Sequence, residues 1–275
     1  MVPVKAIDSE RMRGNFSSHA GDYDLYACVQ KRVVDLLCSK VSGFEVKSGR
    51  ILDVGTGTGA LASAIASQGS EQPLVIMDIA HGMTYEAAQR MPGAFACDGD
   101  ARFLPFGDHS FAKVVSSSVY QWVNCLSTAF REVARILKPG GLFAMALFGE
   151  KTLHELRSSH RHAVTENNKS RSSHVQSFPD LNEVSAAIEL AGLSCLDFCS
   201  TMEVEYHNDV PELLRKLKQI GASNAAANRP RGLASRQIMQ SMMKEYERSY
   251  RCEAGLPASY EVIIAVAQKP ERCRV

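Results

Sequence analysis

Long apolar runs are missing from this chain. The longest among its 275 residues, Leu142–Phe148, spans seven, whereas a membrane-spanning helix needs about 20. No transmembrane segment is therefore expected. The first fifteen residues, MVPVKAIDSERMRGN, contain no stretch apolar enough for a secretory signal. The eight cysteines include no Cys-x-x-Cys pair and read as reduced thiols in a cytoplasmic protein rather than a disulfide frame. In that compartment the Asn-x-Ser matches at Asn15 and Asn168 carry no glycosylation meaning. Walker loop, G-x-S-x-G elbow and H-E-x-x-H are all lacking. His160-Arg161-His162 and Cys195-x-x-x-Cys199 have no further ligands beside them, so no metal site is expected. No internal repeat is evident, which sets solenoids aside.

What is present is ordinary for a soluble domain: 45% apolar and 22% charged residues. The length suits one large domain, or one with an insertion. A formal net charge of +1 hides an uneven distribution. Residues 211–251 hold nine Lys or Arg (Arg215, Lys216, Lys218, Arg229, Arg231, Arg236, Lys244, Arg248, Arg251) and three acids, so that window is +6 and the remainder −5. Such asymmetry suggests an anionic partner. Nucleic acid is a poor fit, because the window lacks interleaved aromatics and the pI is only 7.6.

Along the chain, Phe16, Ala20, Tyr23, Ala27, Gln30 and Val34 recur at three- and four-residue steps, the spacing of one helical face. After a Gly/Ser/Lys break at 42–49, short apolar runs alternate with helical stretches. Expected strands are Arg50–Val54, Leu74–Met77, Phe95–Cys97, Val114–Ser116 and Leu142–Phe148; expected helices are Ala60–Gln68, Thr84–Arg90 and Leu126–Leu137, the last stopped by Lys138-Pro139-Gly140-Gly141. This alternation argues a parallel sheet covered on both faces. Residues 151–164 read as helix, 165–177 as a polar loop or cover, and Asp180–Ala191 as a helix capped by Asp180. Strand-like Leu193–Tyr206 and Ser259–Gln268 are separated by two basic helical stretches.

The strongest local signal is Ile51-Leu52-Asp53-Val54-Gly55-Thr56-Gly57-Thr58-Gly59-Ala60, an apolar strand entering a glycine-rich turn that opens a helix. Glycines there allow a sharp turn and let a ligand meet bare backbone. Leu74-Val75-Ile76-Met77-Asp78 places an acid at the end of the next strand, where a ribose diol would be held. Asp100, in Cys97-Asp98-Gly99-Asp100-Ala101, follows the third strand. Acids after three successive strands, beside a glycine turn, define one crevice at the switch point of the sheet.

Residues 50–149 thus resemble class I S-adenosylmethionine-dependent methyltransferases. The resemblance implies an α/β, Rossmann-like fold: a mostly parallel seven-stranded sheet with an N-terminal helical lid and a helical insertion before the last strand. It also implies a single domain over 1–275, divided into lid helices (10–38), cofactor core (50–149), helices and substrate cover (150–258) and a final strand (259–268). S-Adenosyl-L-methionine is the implied cofactor. Gly55 and Gly57, with Thr56 between them and Asp53 nearby, would face its methionine half. Asp78 would take the ribose hydroxyls, with Ile79 adjoining, Met83 would pack on adenine, and Asp100 with Ala101 would read the adenine edge. Ser117, which stands where the narrower family usually has Asn, would also meet the cofactor.

That narrower family emerges from the outer segments. Phe16-Ser17-Ser18-His19-Ala20-Gly21-Asp22-Tyr23-Asp24, with Ala27 and Gln30, is similar to the N-terminal signature of BioC-type malonyl-[acyl-carrier protein] O-methyltransferases of biotin synthesis. Ser116–Trp122, Leu217–Ala222 and Ser259–Ile263 are similar to that family too. The implied reaction methylates the free carboxylate of malonyl on an acidic carrier protein. Such a carboxylate is already ionised at pH 7, so no general base is needed. Tyr23 and Gln30, expected two turns apart on one helical face, would close over the cofactor, with Tyr23 nearest the sulfonium. Trp122 would line the acceptor pocket. Arg215, Lys216, Lys218, Arg229, Arg231 and Arg236 would receive the carrier. The expected protein is a cytoplasmic monomer or weak dimer. Two other readings stay open: a methyltransferase for a free small molecule of quinone-precursor type, and a cofactor-binding assembly factor without turnover.

Overall fold

A strand as uniformly apolar as Leu142–Phe148 has to be covered on both sides, and the computed structural model, which describes residues 7–45, 48–69, 72–167, 177–222 and 236–271, shows how. The chain opens with α1 (Ser9–His19), a 3-10 turn (Ala20–Asp22), α2 (Tyr23–Tyr26) and α3 (Cys28–Val41). There follow β1 (Ile51–Val54), α4 (Ala60–Ser67), β2 (Leu74–Asp78), α5 (His81–Arg90), β3 (Phe95–Asp98) and β4 (Phe111–Ser117). Next come α6 (Leu126–Ile136), β5 (Leu137–Phe148), α7 (His154–Glu166), α8 (Leu181–Leu190) and β6 (Ser194–His207). Two helices, α9 (Val210–Gln219) and α10 (Arg236–Tyr250), precede β7 (Leu256–Gln268).

The seven strands form one sheet in the order β3-β2-β1-β4-β5-β7-β6. The first five run parallel; β7 is antiparallel to both β5 and β6. Strand order reverses between β1 and β4, which opens a crevice at their carboxyl ends. Alternation along β5 divides the core. Leu142, Ala144, Ala146 and Phe148 pack with α3, α4, α7 and α10, while Phe143, Met145 and Leu147 pack with α6 and α8. On the second face Tyr120, Phe130 and Phe143 meet edge to face, with centroids 5.0–5.8 Å apart.

Several boundaries differ from the sequence expectation. The N-terminal helical face is not one helix: α2 ends at Ala27 (φ −82°, ψ 45°), so Tyr23 and Gln30 lie on separate helices. Lys138–Gly141 does not precede the strand but bulges within β5, whose pairing with β4 jumps from Phe111↔Leu137 to Lys113↔Leu142; Gly140 supplies the positive φ of 76° that the bulge uses. β4 starts at Phe111, β7 at Leu256 and α5 at His81, each earlier than the local pattern indicated, because ladder pairing or burial continues beyond it. α7 runs to Glu166, so the expected polar loop begins as helix; 168–176 lie outside the described residues. Asp180 caps α8 in a reciprocal box with Glu183. Among the described residues no helix is long and apolar enough to cross a membrane.

Phe130 is fully buried at the centre of the aromatic cluster. Phe130→Ala should lower unfolding stability by about 3–5 kcal/mol, whereas Tyr85→Ala, more than half exposed, should stay within about 0.5 kcal/mol. Urea unfolding of the two variants measures both.

Candidate functional site

The glycine turn is shaped by two distinct needs. Gly55 (φ +67°) has no room for a side chain, since an added Cβ would lie 2.3 Å from Val119 Cγ2. Gly57 (φ +56°) has open space where its Cβ would stand, so its bare backbone faces the cleft. Both amides of the turn's first half, Gly55 and Thr56, donate to Met77 O at 2.7 and 2.9 Å, tying the turn to the end of β2. Gly57 N then donates to Asp78 Oδ2 at 3.0 Å, and Ala80 N to Asp78 Oδ1 at 2.8 Å. Burial pushes the Asp78 carboxyl up to about 6, although its backbone amide donors pull the other way.

Asp53, 1% exposed, accepts from Thr56 Oγ1 at 2.8 Å. Burial raises its carboxyl to about 7 and the charge of Asp78 adds to the rise. It acts as an anchor beneath the turn as well as part of the wall. Asp100 is differently placed. Burial alone would raise its carboxyl, but Arg102 prevails and holds it below the ordinary value: Nε donates to Oδ1 at 3.0 Å, Nη2 to Oδ2 at 2.6 Å and the backbone N to Oδ1 at 2.8 Å.

These groups line one cleft of about 1050 Å³. All twelve residues expected at the cofactor line it: Tyr23, Gln30, Asp53, Gly55, Thr56, Gly57, Asp78, Ile79, Met83, Asp100, Ala101 and Ser117. Its roof is the N-terminal segment, through Ser9, Met12, Phe16, Tyr23, Asp24 and Ala27. Burial, then the charges of Asp78 and Asp24, drive the Tyr23 hydroxyl well above its ordinary value, so it stays an O–H donor. The bare Gly57 backbone, the carboxylate at the end of β2 and the buried, unpartnered Ser117 Oγ fit a ligand rich in amine and hydroxyl groups.

A second cavity of about 1260 Å³ adjoins the first and shares Phe16, Tyr23, Gln30, Ser118 and Trp122 with it. Phe16 and Trp122 meet edge to face at 5.4 Å in this common wall. Elsewhere the second cavity is mostly apolar, lined by Phe148, Leu153, Leu156, Phe178, Leu214, Leu217, Ile220, Met239, Met242 and Tyr260, with His160 and Lys218 among them. Few of these residues were singled out from sequence. They come from β5, α7, α9, α10 and β7, so no local spacing connects them. Asp24 and Arg102 were also missed; each sits one or two positions from a residue that was named, and a charge so close to a motif was the available signal.

Some charges of the basic window are paired within the fold among the described residues. Lys216 reaches Glu205 at 3.1 Å and Glu212 at 3.8 Å, so its charge is compensated within the fold. Arg248 and Arg251 pair with Glu245 and Glu247. Arg215, Lys218 and Arg236 are exposed, and only Lys218 of the set lines a described cavity. Arg229 and Arg231 lie outside the described residues. No group of three or more His, Cys, Asp or Glu suited to a metal occurs among the described residues.

Sheet order, glycine turn and acid-lined cleft define a Rossmann-like methyltransferase, and a family described as "Methyltransferase domain" matches residues 52–145. The fold is shared with the YcgJ protein of Bacillus subtilis, at a TM-score of 0.60 and 19% identity over 87% of this chain and 99% of that one. The chain belongs to the malonyl-[acyl-carrier protein] O-methyltransferase family. It is 40% identical over 266 residues to the protein of that name from Geobacter sulfurreducens, covering 96% of this chain and all of the relative. It is also 34% identical to a biotin biosynthesis bifunctional protein, BioHC, of Cellvibrio japonicus, over 96% of this chain and 51% of that one.

Two outcomes follow from the raised carboxyls. Asp78 should hold a diol best when ionised, so S-adenosylhomocysteine affinity should weaken as pH falls through about 6; Asp78→Asn should bind at least about tenfold more weakly and lose that pH dependence. Calorimetry across pH 5–8 reads both. The ligand-free fold should behave in the opposite sense. A carboxyl whose folded pKa lies above its unfolded value favours folding at low pH, and that contribution is lost as pH rises from about 4 through 6 and 7 for Asp78 and Asp53. Urea midpoints of Asp53→Asn should show a smaller loss over this window than the parent.

Proposed function

We propose that the chain transfers a methyl group from S-adenosylmethionine to the free carboxylate of a malonyl thioester on an acyl-carrier protein, the esterification that its relatives' names describe. The observation that carries this reading is the pair of cavities with a common wall: a cleft whose lining includes Asp53, Asp78 and Asp100 for the donor, and a mostly apolar chamber with no acid among its described lining residues for the acceptor. In this division 50–149 supplies the donor cleft, while the lid and 150–258 build the cover. When bound, the cofactor supplies an electrophilic methyl group on a sulfonium.

The protein's own task is placement. Asp78 and the Gly57 backbone hold the donor, with Met83 beside it. The acceptor carboxylate arrives ionised, so no residue has to remove a proton. An apolar chamber strips its water, and fixed orientation can supply on the order of 7–11 kcal/mol of barrier reduction. The protonated Tyr23 hydroxyl and the Gln30 amide, both in the wall common to the two cavities, are the donors placed to orient the carboxylate. Trp122 closes the same wall. Lys218 at the chamber and the exposed Arg215 and Arg236 supply positive charge for an acidic carrier. The protein acts in the cytoplasm, as a monomer or weak dimer.

Labelled cofactor with a panel of malonyl thioesters and free small acids tests the reading. Turnover on malonyl-carrier is expected; turnover confined to free small molecules, or binding without turnover, would sink it. The double variant Arg215→Glu/Lys218→Glu should raise KM for malonyl-carrier several-fold, and the difference should shrink as salt approaches about 0.5 M. Equal loss on a short malonyl thioester without carrier would assign these side chains to the chamber and not to docking.

A further inference from the structure

The donor cleft is roofed by the N-terminal segment, and the roof is fastened to both ends of α5. At its first turn, Gly82 N donates to Ser17 Oγ at 3.0 Å, and an added Cβ on Gly82 would stand 2.5 Å from Ser17 O. At its last turn Arg90 forms an ion pair with Asp24. Asp24 is held from a third side. The buried Thr58 hydroxyl, on the glycine turn, donates to Asp24 Oδ1 at 2.8 Å, and Arg90 Nη1 lies 3.5 Å from Thr58 Oγ1. Lys31 Nζ, from α3, donates to the Asp24 backbone carbonyl at 2.8 Å. Glycine turn, α3 and α5 therefore converge on one roof residue, adjacent in sequence to Tyr23, with Thr58 and Arg90 on its carboxylate and Lys31 on its carbonyl.

We infer that Asp24 and Arg90 are positioning residues of the methyl transfer: their ion pair latches the N-terminal roof onto the glycine turn, sets how fast an S-adenosyl ligand leaves the cleft, and holds Tyr23 in the wall between the cavities. The inference rests on the donor-cleft reading above. Arg90 lines neither cavity, so its effect on a bound ligand passes through Asp24. The two side chains are partly exposed, at 42% and 28%. An isolated pair of that exposure contributes little to global stability. It can still govern a local opening, because such an opening depends on the contacts of that segment and not on global stability.

The experiment uses the full chain, with Arg90→Gln, Arg90→Lys and Asp24→Asn. Stopped-flow fluorescence of Trp122, the sole tryptophan and a wall residue of both cavities, follows release of S-adenosylhomocysteine. Hydrogen–deuterium exchange of the ligand-free protein reads residues 9–27. Arg90→Gln and Asp24→Asn should release the ligand about tenfold faster and exchange faster over 9–27, with the melting temperature within about 2 °C of the parent. Arg90→Lys should keep release within about twofold, and raising salt to about 0.5 M should speed release from the parent more than from Arg90→Gln. Unchanged release and exchange in Arg90→Gln would overturn the latch. So would a loss that Arg90→Lys does not restore, accompanied by a lowered melting temperature, which would mark Arg90 as a fold residue. If Arg90→Gln does not fold, the salt response of the parent decides: release that ignores salt overturns the latch. Failure of the parent to bind S-adenosylhomocysteine at all would instead overturn the donor-cleft reading.

Discussion

Negative charge is concentrated where the sheet can least disperse it. Asp53 and Asp78 sit at the carboxyl ends of adjacent strands, both buried, and the carboxyls are pushed up to about 7 and 6. Among the described residues no basic side chain hydrogen-bonds to either of them; instead Thr56 and the amides of Gly57 and Ala80 do. Thr56 and Gly57 are presented by a turn that runs through left-handed glycines after β1 and is pinned to Met77, while Ala80 stands just before α5. The glycine turn, the end of β2 and the start of α5 are therefore one mechanical unit. Every element that roofs the cleft is fastened to that unit.

The rest of the molecule can be understood as support for this edge. Parallel strands β1 to β5 bring successive carboxyl ends to the same side. Two apolar layers hold the sheet between α3, α4, α7 and α10 on one face and α6 and α8 on the other. The antiparallel strand β7 lets the chain return beside β5 and place α7 and α10 over the second cavity. The wall of Phe16, Tyr23 and Trp122 thus separates a cleft that carries Asp53, Asp78 and Asp100 from a chamber with no acid among its described lining residues.

How much of this is legible in sequence depends on the range of the interactions. Asp53, Gly55, Gly57, Asp78 and Asp100 were readable because strand, turn and helix follow one another within a few residues and each has a distinct residue type. The break at Ala27 was not, since the apolar spacing from Phe16 to Val34 continues in phase through a change of helix. The bulge at Lys138–Gly141 looked like a helix stop, and a local pattern cannot tell that the strand begins before it. The basic window was a true feature of composition, yet charge counts cannot reveal that Lys216, Arg248 and Arg251 already have acidic partners. The second cavity is assembled from five elements across half the chain, and only the folded state connects them.

His207 and Leu256 face each other as the last pair of the β6–β7 ladder. Everything between them, including α9 and α10, is thus a hairpin loop in topological terms, however large. Because closing a loop becomes only slowly costlier with length, such a segment can lengthen, shorten or be exchanged while the strands that carry it keep their register. The donor cleft lies at the opposite half of the sheet and has no chain connection through it. The same hairpin supplies Leu214, Leu217, Lys218, Ile220, Met239 and Met242 to the second cavity, so part of that cavity's lining can be rewritten while the sheet keeps its register.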